Sequence, residues 1–424
     1  MSYISKELKQ GIKLHCIDTK KFKTNLFAFF ITIPLSENTV TKNALIPALL
    51  RQGTANLKTQ EEINIKLEEL YGATFDCGID KIGDNLVLKF YMETLNDEYV
   101  PTKENLLEQA TNLLFDLILN PYIENDGFKE EYLSTEKENM KTLINSKIDN
   151  KDRYAFNRCI EEMYKDKPYG LYKYGTIEDL EKIGPKDLYE QYINVINNYK
   201  MDIFISGNIE PISVFELISR NENINKLQDR EGKYILNNEQ TEVKEETEIT
   251  TLEEKMDVTQ GKLILGLDIF NNEIGTKYIT KIYNVILGES ATSKLFQNVR
   301  EKASLAYTTR SNYVYQKNNI FIRCGIEIPN YEKAVEIIKE QLEDMKNGNF
   351  TDEDLVNAKK YMVSGLETLQ DEQDSEITYY LGQELSGTLV TFQEYMDKIN
   401  AVTKEQVQNI ANQIKINTIY FLRN

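Results

Sequence analysis

Four hundred and twenty-four residues exceed the about 250 to 300 that one hydrophobic core usually organises, so the length argues for two or three domains. Hydrophobic residues at 41% and charged residues at 28% are ordinary for a folded chain and exclude disorder throughout. Fifty Lys plus Arg against 68 Asp plus Glu leave a net charge of −18, which repels phosphate backbones and anionic bilayers; neither nucleic acid nor membrane is expected as a partner.

The first strand-like run, residues 12–17, holds the sole histidine, His15. One imidazole excludes any site that needs two from this chain, and His15 is read as structural. Cys16 follows it, but neighbouring residues on a strand point to opposite faces, so the two cannot easily form a nucleophile–base pair. Cys16, Cys77, Cys159 and Cys324 have neither disulfide nor thiolate–zinc spacing, which points to a reducing compartment. With no signal-like apolar segment, and no uninterrupted apolar run of the roughly 18 residues a membrane span needs, a cytoplasmic location is expected.

A second strand is predicted at 26–34, followed by a helix ending near Gly53, and an amphipathic helix at 105–119. The next helix begins near Phe128, and its pattern returns near Phe350 without a gap at an offset of 222 residues. Leu133 and Met140 match Leu355 and Met362, two helical turns apart on one face, and all four are expected as core anchors. The surrounding pattern repeats as well: a strand at 262–270, a helix ending near Gly288, a helix at 331–345, and the closing helix–strand pairs at 183–206 and 402–422. The fold class expected is α+β, two homologous domains in tandem, each an antiparallel-rich sheet packed against helices. Their spans are 1–219 and 255–424, joined by an acidic linker at 220–254 that carries Glu242, Glu245, Glu246, Glu248, Glu253 and Glu254.

Three stretches on this duplicated frame resemble the insulinase-like metallopeptidases, in particular the two-domain subunits related to the mitochondrial processing peptidase. They are residues 43–54 (NALIPALLRQGT), 206–209 (SGNI) and 293–307 (SKLFQNVREKASLAY). Active members of that family carry His-x-x-Glu-His, two imidazoles on one helical face that bind zinc beside a glutamate base. Anchored on Gly53 and Thr54, the corresponding positions are Ala44, Pro47 and Ala48, none of which can ligate a metal or move a proton. The third-ligand position aligns with Glu136, left vestigial, because one carboxylate cannot hold zinc. The chain is therefore expected to hold no metal or cofactor of its own and to be inactive alone.

The resemblance implies that Arg300 and Tyr307 match the pair that binds the substrate carbonyl and its developing oxyanion in active members. Because such subunits close in pairs, it also implies a zinc-bearing sister subunit as partner, a peptide or small protein as substrate, and Arg300 and Tyr307 supplied to the partner's zinc site. The nearest branch by resemblance is bacterial, encoded with an active-looking sister and associated with elongation-factor-P modification. The alternative is a peptide-binding or structural scaffold without a role in proteolysis, in which Arg300 pairs with Glu301 and Tyr307 merely packs.

Overall fold

The structure is a computed structural model describing residues 2–102, 104–232, 234, 248–271, 273 and 275–424. The first half runs β1 (Ser2–Lys9), β2 (Ile12–Asp18), β3 (Thr24–Pro34), α1 (Val40–Leu50), α2 (Gln60–Glu69), β4 (Thr74–Ile82), β5 (Asn85–Leu95) and α3 (Leu106–Leu119). After the two-residue strands β6 (Ile123–Glu124) and β7 (Gly127–Phe128) come α4 (Glu130–Asn145), α5 (Lys151–Met163), α6 (Ile177–Lys182), α7 (Pro185–Asn198), β8 (Lys200–Gly207), α8 (Pro211–Arg220) and α9 (Glu222–Lys226). The second half is β9 (Thr250–Lys255), β10 (Gly261–Ile269), α10 (Thr276–Asn284), β11 (Ala306–Val314), β12 (Asn319–Ile326), α11 (Tyr331–Lys346), α12 (Asp352–Leu369), α13 (Gln373–Leu385), α14 (Phe392–Asn400), α15 (Lys404–Ala411) and β13 (Ile414–Arg423). The fold is mixed α+β with sheets packed against helices, as the pattern predicts.

The chain divides into two compact units, Met1–Asn145 with Leu171–Ile235 and Asp371–Gly382, and Ser146–Gly170 with Leu236–Gln370 and Gln383–Asn424. Each is discontinuous in sequence. In the first, six strands run in the order β1-β2-β8-β3-β5-β4, antiparallel except for β2 beside β8. Alternation sends Phe27, Phe29, Ile31 and Ile33 of β3 into one core with Leu45 and Leu49 of α1, Leu114 of α3 and Leu133 of α4. The opposite face carries His15, Phe30 and Phe204, and Gln373–Gly382 of α13 belongs to this unit. Gln373 donates to the Ser206 carbonyl at 2.9 Å, and Tyr380 stacks on Tyr3 at 4.1 Å.

In the second unit five strands run β11-β12-β10-β13-β9, with β9 and β13 the parallel pair. Helix α5 packs on this sheet, putting Tyr154, Ala155, Cys159 and Ile160 against Ile264, Phe321, Tyr420 and Leu422. The helix starts follow local chemistry: Thr59 and Glu62 form a capping box at α2, as Thr351 and Asp354 do at α12.

Two expectations change. Leu133 and Met140 are buried, but Leu355 and Met362 are only half-buried; α12 buries Ala358 and Leu366 instead. Equivalent helical positions keep their periodicity while the packing partner changes. The proposed linker at 220–254 is structured at both flanks: α9 buries Ile224, and the β-prone run Thr250, Thr251 and Leu252 pairs in parallel with β13. Its middle, including Glu242, Glu245 and Glu246, lies outside the described residues.

Candidate functional site

Spacings of three and four residues put Ala44, Pro47 and Ala48 on one face of α1, and all three line a cleft of about 450 Å³ within the first unit. Ile63 and Leu67 of α2, Phe75 and Cys77 of β4, and Glu136 and Met140 of α4 complete most of its wall. Pro47 lies inside the helix, where it cannot donate a backbone hydrogen bond. Its carbonyl accepts from the Arg51 N–H at 3.2 Å and from the Cys77 thiol at 3.2 Å. Gly53, just beyond α1, is required by close approach, since a Cβ there would lie 2.5 Å from the Lys58 carbonyl oxygen.

The donor set does not fit zinc. Two alanines and a proline offer no ligand atom, and the Glu136 carboxylate is taken up by the side-chain amides of Gln52 and of Asn139, the latter at 3.2 Å. Burial pushes the Cys77 thiol up to about 12, with Arg51 opposing and Asp76 and Glu136 adding to the rise, so it stays protonated at neutral pH. Among the described residues no group of three His, Cys, Asp or Glu side chains could hold a metal. What remains is a cleft with a partly apolar wall and a fixed carboxylate.

Arg300 and Tyr307 belong to the second unit. Arg300 lies in the π-helical turn Phe296–Lys302, which the chain leaves through Ser304 at a left-handed φ of 52°. Its guanidinium lies 4.7 Å from the Phe296 ring centre and 3.6 Å from the Glu301 carboxylate, with its side chain 43% exposed. Tyr307 is the second residue of β11, at a β-bulge: Ala306 pairs with Ile326 and Thr308 with Gly325, leaving Tyr307 out of the ladder. The extra residue turns both Tyr307 and Thr308 outward, and Tyr307 is 63% exposed. Chemically this arrangement offers a guanidinium and a phenol as hydrogen-bond donors on an accessible edge.

His15 takes no part in either set. Its two ring nitrogens meet the Tyr3 hydroxyl at 2.7 Å and Asp202 at 3.0 Å, and the ring stacks on Phe204 at 4.1 Å. Burial alone would raise the Asp202 carboxyl, but Lys200 and His15 together hold it down to about 2. Cys16 faces the opposite core, as strand alternation predicts, and burial raises its thiol to about 12. Sequence reasoning missed Gln52, whose amide occupies Glu136; its place beside the anchoring Gly53 was the only available signal. It also missed the bulge at Tyr307, because alternation predicts one outward residue there and not two.

The model for the peptidase M16 inactive domain matches residues 182–362. Over 429 aligned residues the chain is 34% identical to the probable inactive metalloprotease YmfF of Bacillus subtilis, covering 100% of this chain and 99% of YmfF. It is 25% identical over 324 residues to an uncharacterized zinc protease of the same organism, YmxG, covering 75% and 76% of the two chains. A crystal structure of a conserved protein from Enterococcus faecalis superposes with a TM-score of 0.89 at 25% identity, over 100% of this chain and 99% of that one. Full-length identity to YmfF, together with the match to the peptidase M16 inactive domain, shows that this chain belongs to the insulinase-like peptidase M16 family as an inactive homologue.

Proposed function

We propose that this chain is the non-catalytic subunit of a heterodimeric zinc metallopeptidase, working in the bacterial cytoplasm, and that Arg300 and Tyr307 bind peptide at the zinc site of an active sister subunit. The bulge that turns Tyr307 outward carries this reading. A π-helical turn followed by a bulge is a costly local geometry, and both devices concentrate at functional sites because they aim side chains. Bacillus subtilis holds both the inactive relative YmfF and a chain named as a zinc protease, which supports a pairing of the two kinds of subunit. The branch associated with elongation-factor-P modification is the pathway context that this reading favours.

The physical role follows from electrostatics. A guanidinium and a phenol directed at a developing oxyanion stabilise the transition state more than the ground state, by roughly 10²- to 10³-fold in rate per donor. The test is co-expression with a sister carrying His-x-x-Glu-His, followed by turnover of a peptide library by the purified pair. Arg300→Ala is expected to lower turnover by about 10²-fold with co-purification unchanged. Unchanged turnover in an intact pair would overturn the composite site. The Arg300 contacts with Phe296 and Glu301 favour a second reading, an inherited scaffold, under which Arg300→Ala weakens folding or assembly and leaves proteolysis unaffected.

A further inference from the structure

Three lysines of the second unit meet in a nest of tyrosine rings. Lys277 and Lys281 stand one turn apart on α10, and Lys398 comes from α14. The Lys277 ammonium donates to the Thr388 hydroxyl at 3.0 Å and lies 5.2 Å and 5.0 Å from the ring centres of Tyr278 and Tyr315. Lys398 lies 5.5 Å from the Tyr278 ring centre and Lys281 5.7 Å from that of Tyr395. Lys398 is exposed, Lys281 is half-buried and Lys277 is buried.

Among the described residues no carboxylate comes within 4 Å of any of the three ammonium groups. Glu289 reaches Lys281 and Glu394 reaches Lys398 only as longer-range charges, and neither relieves Lys277. Burial first, then repulsion from Lys281 and Lys398, brings Lys277 down to about 8. Ring faces attract a cation without cancelling its charge, and like charges one turn apart on a helix destabilise it. Burying an ammonium without a counter-ion costs more again. In a chain of net charge −18, where acids outnumber bases, three cations around the Tyr278 and Tyr395 rings without a close carboxylate among the described residues make a compact anion the fitting counter-charge.

We infer that Lys277, Lys281 and Lys398 form a binding site for a compact, multiply charged oxyanion of the phosphate class, free or as an ester. Lys277 is a donor already oriented by Thr388; Lys281 adds a second charge one turn along α10, and Lys398 supplies one from the exposed side. Tyr315 follows the end of β11, eight residues beyond Tyr307, which at roughly 3.3 Å per residue of strand is about 25 Å away. The site is thus distinct from the Arg300 and Tyr307 pair and stands or falls independently of the peptidase reading.

The test is calorimetric titration of the full chain in a chloride-matched, phosphate-free buffer. The probes are inorganic phosphate, phenyl phosphate for the ester source, and sulfate as a dianion whose own charge does not change with pH. One-site saturable binding is expected for at least one phosphate probe, with the tighter of the two identifying the source. Sulfate affinity is expected to fall about tenfold between about pH 6.5 and pH 9.5 as Lys277 loses its proton. Lys277→Met and Lys281→Gln should each weaken binding at least about tenfold, with an anion-free melting temperature no lower than that of the wild type. If Lys277→Met does not fold, the exposed substitution Lys398→Gln serves, with an expected loss of several-fold. No saturable binding below about 50 mM, or affinity unchanged in the folded variants, would overturn the site.

Discussion

Helices α5 and α13 are counterparts: Lys151–Met163 and Gln373–Leu385 lie 222 residues apart, the same offset that relates α4 to α12. Each groups, wholly or in its first ten residues, with the unit built mainly from the other half of the chain. Their apolar spacing agrees, with Ala155 and Cys159 of α5 buried at the positions of Ile377 and Leu381 in α13. Their polar chemistry does not. In α5 the Tyr154 hydroxyl donates to Glu254 at 2.5 Å, and Arg158 reaches Glu254, Glu161 and Glu162 at 3.2, 2.6 and 2.8 Å. The counterpart of Tyr154 in α13 is Glu376, fully buried, with neither carboxylate oxygen in a hydrogen bond to any of the described residues. After a duplication, apolar periodicity suffices to keep a helix on a sheet, whereas polar groups keep their balance only where a partner is retained.

Three experiments sharpen this contrast, in falling order of their largest effect. The α4 and α12 pair sets the scale: Leu133→Ala should cost about 3 kcal/mol and Leu355→Ala about 1 kcal/mol, because the first side chain is fully buried and the second only half-buried. Urea midpoints compare them directly, and equal losses would show that the halves pack alike.

Glu376 comes next. Burial raises its carboxyl from the ordinary 4.5 to about 7, against weaker opposition from Lys21. The folded state therefore holds a proton that the unfolded state has released, so stability falls as pH rises from about 4.5 to about 7 and stays low above that. Glu376→Gln keeps the shape and removes the charge, and should stabilise the chain by on the order of 2 kcal/mol at about pH 8 and by little at about pH 4.5. A variant whose pH–stability curve parallels that of the wild type would place the titrating group elsewhere.

The smallest effect belongs to the satisfied helix. Tyr154→Phe deletes one bond to a carboxylate that still has Tyr420 at 2.7 Å and Arg158, so a loss of about 1 kcal/mol is expected by thermal melting. A loss as large as that of Leu133→Ala would mean that Glu254 depends on Tyr154 alone.

Much of the fold was legible in the sequence because it rests on periodicity. The strands at residues 26–34 and 262–270 and the helices at 105–119 and 331–345 lie where alternation and 3.6-residue spacing put them, to within two residues. Periodicity does not name the partner that covers a face, so the grouping of α5 and of part of α13 with the opposite halves was not readable. The same limit explains Leu355 and Met362. At the candidate sites, spacing alone places Ala44, Pro47 and Ala48 on one helical face. The amide of Gln52 on Glu136 and the bulge at Tyr307 depend on long-range pairing that no local pattern encodes.

Pro47 has a consequence for the history of the chain. Its carbonyl now serves the Cys77 thiol, and Ala44 and Ala48 flank it in a cleft whose wall is partly apolar. Restoring a histidine at one position alone would place an imidazole there with no ion to bind, and restoring the glutamate alone would set a second carboxylate near Glu136. Each single step back is unfavourable, and only several changes together would regain a metal. The cleft is thus separated from a metal site by several simultaneous changes and not by one, which makes it a stable platform for chemistry that needs no metal.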